Sequence, residues 1–241
     1  MRLAREELKR LNPDVFVATE VRDWAAFDEL ISVLPKLNTH VVSSFVDPET
    51  GEIRPQQIGI ASKLTCRAAS WEPWKANVPN TPRGFSFAAL ETPEGQLLMV
   101  YGNHFKSNRG AGDEIAREVA AMRNDQAKQL IEHRAVVEKS FFGRKISGWI
   151  AAGDFNTNHD GQFPLCNAIK LLTDAGYHNT WADVPKSERL TWQAKEGSPF
   201  QSTTFDYFFT LGLGNPKAVE IKTPVEISDH RAIGLIVNSA P

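Results

Sequence analysis

One stretch of the sequence, Trp149–Thr157, constrains the fold and the chemistry of this chain more than any other. The apolar run 149–153 predicts a buried strand whose last residue, Gly153, lets the backbone turn sharply. Asp154 and Asn156 follow two residues apart, so in extended chain their side chains project to the same side. An acid and an amide on one edge of a sheet can hold a hard cation or hydrogen-bond a phosphate. Both residues are also common where an ordinary strand runs into a turn.

The composition is that of a globular protein with one sizeable core. The chain has 241 residues, of which 41% are hydrophobic and 23% are charged, and it contains no linker, low-complexity tract or internal repeat. We therefore expect a single domain over residues 1–241. The formal net charge of -2 argues against a strongly basic nucleic-acid binder, although it leaves local basic patches open. We expect a monomer.

The cellular compartment stays open. No apolar run is long enough to span a membrane, and the N-terminus has no signal-peptide core. Cys66 and Cys166 follow no metal-ligand spacing, so they are core thiols or one disulfide. A secreted and a cytoplasmic location are both compatible with these features.

Hydrophobic periodicity predicts strands interleaved with helices. Strands outnumber helices, yet the two alternate, which is typical of an α/β or α+β fold with at least two packed layers. The predicted helices are 2–11, 24–34, 113–139 and 163–175. The predicted strands are 15–18, 40–45, 58–64, 85–90, 97–101, 149–153, 204–210 and 232–237.

Several predicted strands end in titratable or hydrogen-bonding side chains. A glutamate at one strand end is either a solvent-facing terminus or a metal ligand, but five such endings indicate convergence on one site. Carboxylates suit Mg²⁺ or Mn²⁺, and histidines carry protons near neutral pH. The pattern predicts metal-assisted attack of water on a phosphate ester. The residues are Glu20, His104, Asp154 with Asn156, Asp206, and Asp229 with His230.

These motifs, in this order, resemble those of the endonuclease/exonuclease/phosphatase family, the deoxyribonuclease I-like enzymes. Each match alone is weak, but the ordered set spans almost the whole chain. The resemblance implies an α/β fold in four layers, with two mixed sheets packed face to face and helices outside. The matching segments are Ala18–Asp23, Gly102–Ser107, Gly153–Asn156, Phe205–Tyr207 and Ser228–His230.

The resemblance also implies a role for each residue. Glu20 is the principal metal ligand, and Asp229 is a second ligand, directly or through water. His230 activates the attacking water, and Asp206 orients that histidine. The phosphate and the nucleophile are positioned by Asp154 and Asn156. His104 donates to the phosphate or assists the leaving oxygen. The implied metal is Mg²⁺ or Mn²⁺, with Ca²⁺ as a further option.

Three basic residues bear on the substrate. Arg22 and Arg83 lie where deoxyribonuclease-like members place arginines that contact the DNA groove and phosphate, and arginine suits both tasks through its fork of donors. Lys106 is a further candidate for the phosphate backbone, and Arg109 is a fainter one. The plainer interpretation is that these are solvated surface residues.

The sequence departs from the family pattern in two places. Family members begin with a strand that carries an asparagine, whereas this chain opens on the helix that would follow it, so we expect the first family strand to be lacking. The second departure is Gln56 and Gln57, near where deoxyribonuclease-like members use a glutamate to orient the first histidine. A glutamine can still accept that hydrogen bond, but it holds an imidazolium less well.

The leading hypothesis is a metal-dependent DNA endonuclease, with RNA as another substrate. The main alternative is a phosphatase or phosphodiesterase of the same fold that acts on lipid headgroups or inositol phosphates. It needs a pocket or an apolar loop facing a membrane, which Trp71–Trp74 can supply unless these tryptophans fill a core. A third hypothesis is a catalytically impaired module that retains the fold.

Overall fold

The computed structural model describes residues 1–47, 50–75, 83–108, 112–198 and 200–237. Its helices and strands alternate along the chain, as the sequence predicts. The helices are α1 (Arg2–Leu11), α2 (Trp24–Ile31), α3 (Asp113–Ser140) and α4 (Ala168–Asp174), with a 3₁₀ turn at Lys186–Glu188. The strands are β1 (Val15–Val21), β2 (Asn38–Val42), β3 (Gln57–Ser62), β4 (Thr65–Pro73), β5 (Gly84–Glu91), β6 (Leu97–His104), β7 (Ile146–Asp154), β8 (His178–Asn179), β9 (Asp206–Leu211), β10 (Ala218–Ile221) and β11 (Ala232–Leu235).

A six-stranded sheet forms the centre of the molecule, in the order β4-β5-β6-β7-β9-β8. Strands β6 and β7 are parallel, and the other neighbours are antiparallel. Helix α3 supplies the long crossover that a parallel connection requires. One face of the sheet buries large aromatic side chains, among them Trp149, Tyr207 and Phe209, in a core shared with Leu130 of α3 and Leu172 of α4.

A smaller sheet, in the order β1-β3-β2, packs on the other face of the large sheet. Its apolar side chains, such as Val41 and Ile60, meet Ala88 and Val100. The two sheets approach closely at Gly102, because a Cβ there would lie 2.7 Å from a methyl group of Ile58. Helices α1 and α2 cover the outer face of the small sheet. The four-layer α/β arrangement is therefore confirmed, and among the described pairings only the large sheet is mixed.

The layer of the small sheet has an open edge at β1. Strands β2, β3 and β1 lie in turn over β4 to β7, and the β10-β11 ribbon contacts β9. Among the described strands, β1 pairs only with β3, and β10 and β11 pair only with each other. The expected lack of a first family strand concerns this edge and stays a prediction.

Strand β4 and the tryptophans beside it differ from the sequence expectation. Residues 65–73, which carry no simple strand pattern, form an edge strand because they pair along the whole of β5. Trp71 belongs to this strand and contacts the ring of Phe45 edge-on. Trp74 is buried between Phe85 and Phe105. Both tryptophans thus pack against the protein and do not form a projecting apolar loop.

Two smaller expectations also have outcomes. Cys66 and Cys166 are both free thiols, so the disulfide alternative is excluded. No helix among the described residues combines the length and apolar character needed to cross a membrane. The predicted helix 163–175 is shorter than expected and begins at Ala168.

The close approach of the two sheets generates a stability prediction. We expect Gly102→Ala to lower the free energy of unfolding by about 1–3 kcal/mol, because the new methyl group would overlap the side chains of Ile58 and Val17. The two sheets would have to move apart to remove this overlap. Chemical denaturation measures the change. The control is Val136→Ala at an exposed position of α3, which should stay within about 0.5 kcal/mol of the parent. Equal midpoints for the two variants would contradict the packing described.

Candidate active site

The ends of β6 and β7 bring His104 and Asp154 together. The two strands are parallel, and their register places His104 directly beside Asp154. His104 Nε2 lies 3.3 Å from Asp154 Oδ2, and both side chains are buried. The other ring nitrogen of His104, Nδ1, has no hydrogen-bond partner among the described residues. Nε2 is therefore the nitrogen that faces the carboxylates.

Asn156 closes a tight turn on Asp154. Gly153 allows this turn, because its φ is +137° and a Cβ there would lie 2.0 Å from the Asn103 carbonyl. The backbone N–H of Asn156 donates to Asp154 Oδ1 at 2.7 Å, and Asn156 Nδ2 donates to Asp154 Oδ2 at 2.7 Å. The carboxylate is thus held from two sides. Asp154 and Asn156 meet as the sequence predicts, but through a turn with φ +50° at Asn156 and not through the extended chain that the prediction assumed.

A second imidazole–carboxylate pair lies next to the first. Strand β9 is antiparallel to β7, and its first residue, Asp206, lies opposite Asp154. Asp206 Oδ2 is 2.8 Å from His230 Nδ1. The Thr191 hydroxyl accepts the backbone N–H groups of Phe205 and Asp206 at 2.9 Å and 3.0 Å, and it also hydrogen-bonds the Asp206 carboxylate. His230 also forms an isolated β-bridge with Trp192, which fixes its backbone beside β9.

These neighbours shift three pKa values. Burial opposes ionisation of Asp154, but the hydrogen bond from His104 and the charges of His104 and His230 outweigh it and lower its pKa. Burial raises the pKa of Asp206 despite its hydrogen bond to His230, and the charge of Asp154 adds to the rise. Burial lowers the pKa of His230, yet Asp206, Asp154 and Asp229 together raise it to about 10.

Glu20 approaches this cluster from the small sheet. A register shift in β1 between Ala18 and Val21 turns the strand at Glu20, whose φ is +57°. The exposed Glu20 side chain lies 3.8 Å from His104 Nε2 through Oε1. The same oxygen accepts a 3.0 Å hydrogen bond from Gln56 Nε2.

Gln56 is in turn held by Arg83. Arg83 Nη1 donates to Gln56 Oε1 at 2.9 Å, and Arg83 Nη2 donates to the Phe105 carbonyl at 2.8 Å. Arg83 is buried, so its guanidinium reaches Glu20 through Gln56 and does not lie on the surface. Gln56 bonds Glu20 rather than His104, which corrects the expectation that a glutamine accepts from that histidine.

Backbone strain is concentrated in this cluster. Among the described residues, four that are not glycine have a positive φ, and three of them are Glu20, Arg83 and Asn156. Such conformations cost on the order of 1 kcal/mol each and persist where the surrounding structure enforces them. Their concentration at one place indicates a functional site.

The remaining candidates lie apart from the cluster or at its margin. Asp229 is exposed, and it contributes to the electrostatic field at His230. Arg22 is exposed and donates to Asp23 at 2.7 Å. Lys106 is half-buried, and its backbone N–H donates to Gln126. Arg109 lies outside the described residues.

The carboxylates near this cluster are of the ligand type that Mg²⁺ prefers. Among the described residues, no group of three His, Cys, Asp or Glu side chains is arranged to hold a metal. Mg²⁺, however, is held in many sites by one or two carboxylates and keeps several waters. The exposed carboxylates of Glu20 and Asp229 offer such hard oxygen ligands with a side open to water.

Sequence reasoning missed two side chains that support this site. Arg123 is buried in α3 and donates to the Asn156 carbonyl and to Asn108 Oδ1. Asn108 Nδ2 donates to the same carbonyl at 2.7 Å. Arg123 lies, together with Gln126, between Val119 and Leu130 on the apolar stripe of α3. A polar residue on such a stripe is the sequence signal by which Arg123 could have been identified.

The sequence matches no protein-family model and no curated protein. Solved structures, however, match over nearly the whole chain. An endonuclease/exonuclease/phosphatase family protein from Leptotrichia buccalis superposes with a TM-score of 0.68 at 16% identity, over 98% of this chain and 91% of that chain. This chain has the endonuclease/exonuclease/phosphatase fold.

Two further solved structures support the same conclusion. Beta toxin from Staphylococcus aureus gives a TM-score of 0.69 at 16% identity and covers 98% of this chain and 92% of its own. The human Nocturnin catalytic domain with bound sulfate gives a TM-score of 0.68 at 18% identity and covers 98% of this chain and 85% of its own. The resemblance that the motifs indicated is thus confirmed for the endonuclease/exonuclease/phosphatase fold.

The support that Arg123 gives to Asn156 generates a second prediction. We expect Arg123→Met to lower the free energy of unfolding by about 1–3 kcal/mol, because it removes donors from the Asn156 carbonyl and from Asn108. Arg117→Met, at an exposed position of the same helix, is the control and should change stability little. Thermal and chemical unfolding check both variants. An Arg123→Met protein as stable as the control would contradict this role.

Proposed function

We propose that this protein is a divalent-metal-dependent phosphodiesterase, a nuclease that hydrolyses DNA by attack of water on the phosphate. One observation carries the proposal: two imidazole–carboxylate pairs, His104–Asp154 and His230–Asp206, meet beside Glu20 at one edge of the adjacent strands β6, β7 and β9. The connection between β10 and β11 supplies His230. Neighbours of the same fold are named endonuclease/exonuclease/phosphatase proteins. One of them, the Nocturnin domain, binds sulfate, an anion with the tetrahedral shape of phosphate.

His230 is the proposed general base. Its Nδ1 is engaged by Asp206 at 2.8 Å, which leaves Nε2 to take the proton of the attacking water. The protein carboxylates alone raise the pKa of His230 to about 10, which favours the protonated ring. A cation held by Glu20 and Asp229 would repel the imidazolium and so would favour the neutral ring that a base requires.

The other pair is proposed to bind the phosphate. His104 Nε2 faces Asp154 and Glu20 at 3.3 Å and 3.8 Å, so its one N–H points between these carboxylates, where a bound phosphate oxygen would compete with Asp154 for it. Asp154 holds both His104 and the Asn156 side chain in position. These fixed donors stabilise the extra negative charge that develops when water adds to phosphorus.

Glu20 and Asp229 are the proposed metal ligands. A divalent cation there would neutralise phosphate charge and polarise the phosphorus–oxygen bonds. Gln56 and Arg83 hold the Glu20 carboxylate by the hydrogen bonds described above. Arg83 therefore acts in this proposal as a positioning residue, and direct phosphate contact falls to the more exposed Arg22 and Lys106.

DNA is the favoured substrate over lipid. Arg22 is exposed and lies two residues from Glu20 in sequence, so its guanidinium is placed to contact the phosphate backbone of DNA. Of the tryptophans that would serve a membrane-facing site, Trp74 is buried in the core, and Trp71, although partly exposed, lies on β4 against the ring of Phe45. A surface charge this modest predicts weak, salt-sensitive DNA binding.

Nicking of supercoiled plasmid with Mg²⁺ or Mn²⁺ tests this function. We expect nicking that EDTA abolishes and that His230→Ala lowers by at least about 100-fold, the contribution of a general base. The matched control is His178→Ala in β8, away from the paired carboxylates, which should keep wild-type activity. Hydrolysis of a small phosphomonoester is measured in parallel.

Three outcomes would each contradict one part of the proposal. Nicking that survives EDTA would contradict the metal dependence, and nicking that survives His230→Ala would contradict His230 as the base. Faster hydrolysis of the phosphomonoester than of the plasmid would contradict the nuclease assignment. The folded state of each variant is verified by circular dichroism and thermal unfolding.

Metal binding has its own prediction. We expect Glu20→Gln to weaken binding of Mn²⁺ by 10-fold or more, because a neutral amide replaces the principal charged ligand. Isothermal titration calorimetry measures this without any turnover. Glu29→Gln, an exposed glutamate of α2, is the control and should bind Mn²⁺ as the parent does. Unchanged affinity in Glu20→Gln would remove Glu20 from the metal site.

A further inference from the structure

A cleft of about 400 Å³ opens beside the candidate active site. One wall is the first turns of α3, with Ile115 and Val119, and the other is the segment around Phe163 and Leu165, with Phe200 nearby. The proposed mechanism does not use this cleft. Its volume is in the range of sites that take a small organic group.

Several of the side chains that line the cleft are apolar and exposed to solvent. Ile115 is 40% exposed, Leu165 is 49% exposed and Phe200 is 62% exposed. Single exposed apolar residues are ordinary on a protein surface, but several around one concavity mark a binding site. The walls therefore favour a ligand with a flat or apolar body.

One residue, Asn156, connects the cleft with the proposed phosphate site. Asn108 and Arg123 line it, and both donate to the backbone carbonyl of Asn156. The Asn156 side chain holds Asp154 on the other side. A phosphodiester bound at Asp154 and Asn156 would therefore have the group attached to its neighbouring sugar at the mouth of the cleft.

The cleft also carries polar groups that an acyl chain would not need. The exposed carboxylate of Asp113 and the exposed amide of Gln162 line it beside the aromatic ring of Phe163. The Arg123 guanidinium lies 5.3 Å from the centre of that ring. Aromatic surface flanked by hydrogen-bonding groups is the arrangement by which proteins hold an unstacked base.

We propose that this cleft binds a nucleobase next to the scissile phosphate, so that the enzyme prefers single-stranded DNA. A base inside a duplex is stacked and paired, and it would have to leave the stack to enter. This proposal rests on the nuclease function proposed above and names the form of its substrate.

The test compares two single-stranded substrates of equal length, oligothymidylate and an oligomer whose nucleobases are replaced by abasic residues. We expect the wild-type protein to cleave oligothymidylate about 10-fold faster in kcat/KM, which is the contribution of one stacked base. Leu165→Ala and Phe200→Ala should remove most of this preference while cleavage of the abasic oligomer stays unchanged. Both side chains are exposed, so their loss leaves the fold intact.

Phe142→Ala is the matched control, because Phe142 is exposed and lies at the far end of α3, outside the cleft. It should retain the full preference. Binding of fluorescein-labelled oligothymidylate in EDTA provides a second readout, and it should weaken in Leu165→Ala and Phe200→Ala only.

The outcomes separate the two proposals. If wild type cleaves neither the oligomers nor the plasmid, the nuclease function fails and the base site fails with it. If it nicks the plasmid but cleaves neither oligomer, the base site alone is overturned. Equal cleavage of both oligomers by wild type, or a preference that survives in the cleft variants, overturns the base site alone.

Discussion

The register of three neighbouring strands is the constraint on which the site depends. His104 lies beside Asp154 because β6 and β7 are parallel in this register, and Asp154 lies opposite Asp206 because β7 and β9 are antiparallel. Neighbouring strands are about 4.8 Å apart, so three titratable groups meet without any help from a loop. A slip of one residue in β9 would send Asp206 toward the aromatic core and Tyr207 toward the site. The same hydrogen bonds therefore specify the core and the chemistry.

This arrangement places a buried carboxylate, Asp154, beside a partly buried one, Asp206, which is costly unless each is neutralised. Asp154 and Asp206 each have a histidine, and the two histidines come from different elements, His104 from β6 and His230 from the connection between β10 and β11. The result is uneven: the pKa of Asp154 falls, whereas the pKa of Asp206 rises. Neighbouring acids with opposite shifts are the means by which one site performs different proton tasks.

The sequence allowed prediction of the elements whose pattern is local. Strand β7 and helix α3 follow from apolar runs and periodicity, and the residues at the strand ends follow from their position after those runs. The resemblance of the ordered motifs to a known family then supplied the four layers. Strand β4 was not predicted, because its residues are mostly exposed and it forms only by pairing with β5.

Contacts between residues that are far apart in the sequence could not be predicted from it either. The interpretation of Arg83 as a surface residue or phosphate contact took no account of Gln56, since 27 positions separate the two. Arg123 and Asn156 are 33 positions apart, and only the packed fold reveals that an arginine on an apolar helix stripe has a carbonyl partner. Sequence pattern identifies which groups carry chemistry, whereas long-range pairing decides which groups hold them.

The left-handed backbone at Glu20 has a consequence for engineering. Glycine adopts that conformation freely, so replacing Glu20 by glycine relaxes the chain at the very residue proposed to bind the metal. Screening variants of this protein for thermal tolerance alone would therefore favour a change at position 20 that erodes the site. Arg83 and Asn156 share the positive φ, but both are buried and hydrogen-bonded, so replacing them would cost more stability than the strain it relieves. Stability and activity are opposed at Glu20 alone among these three residues.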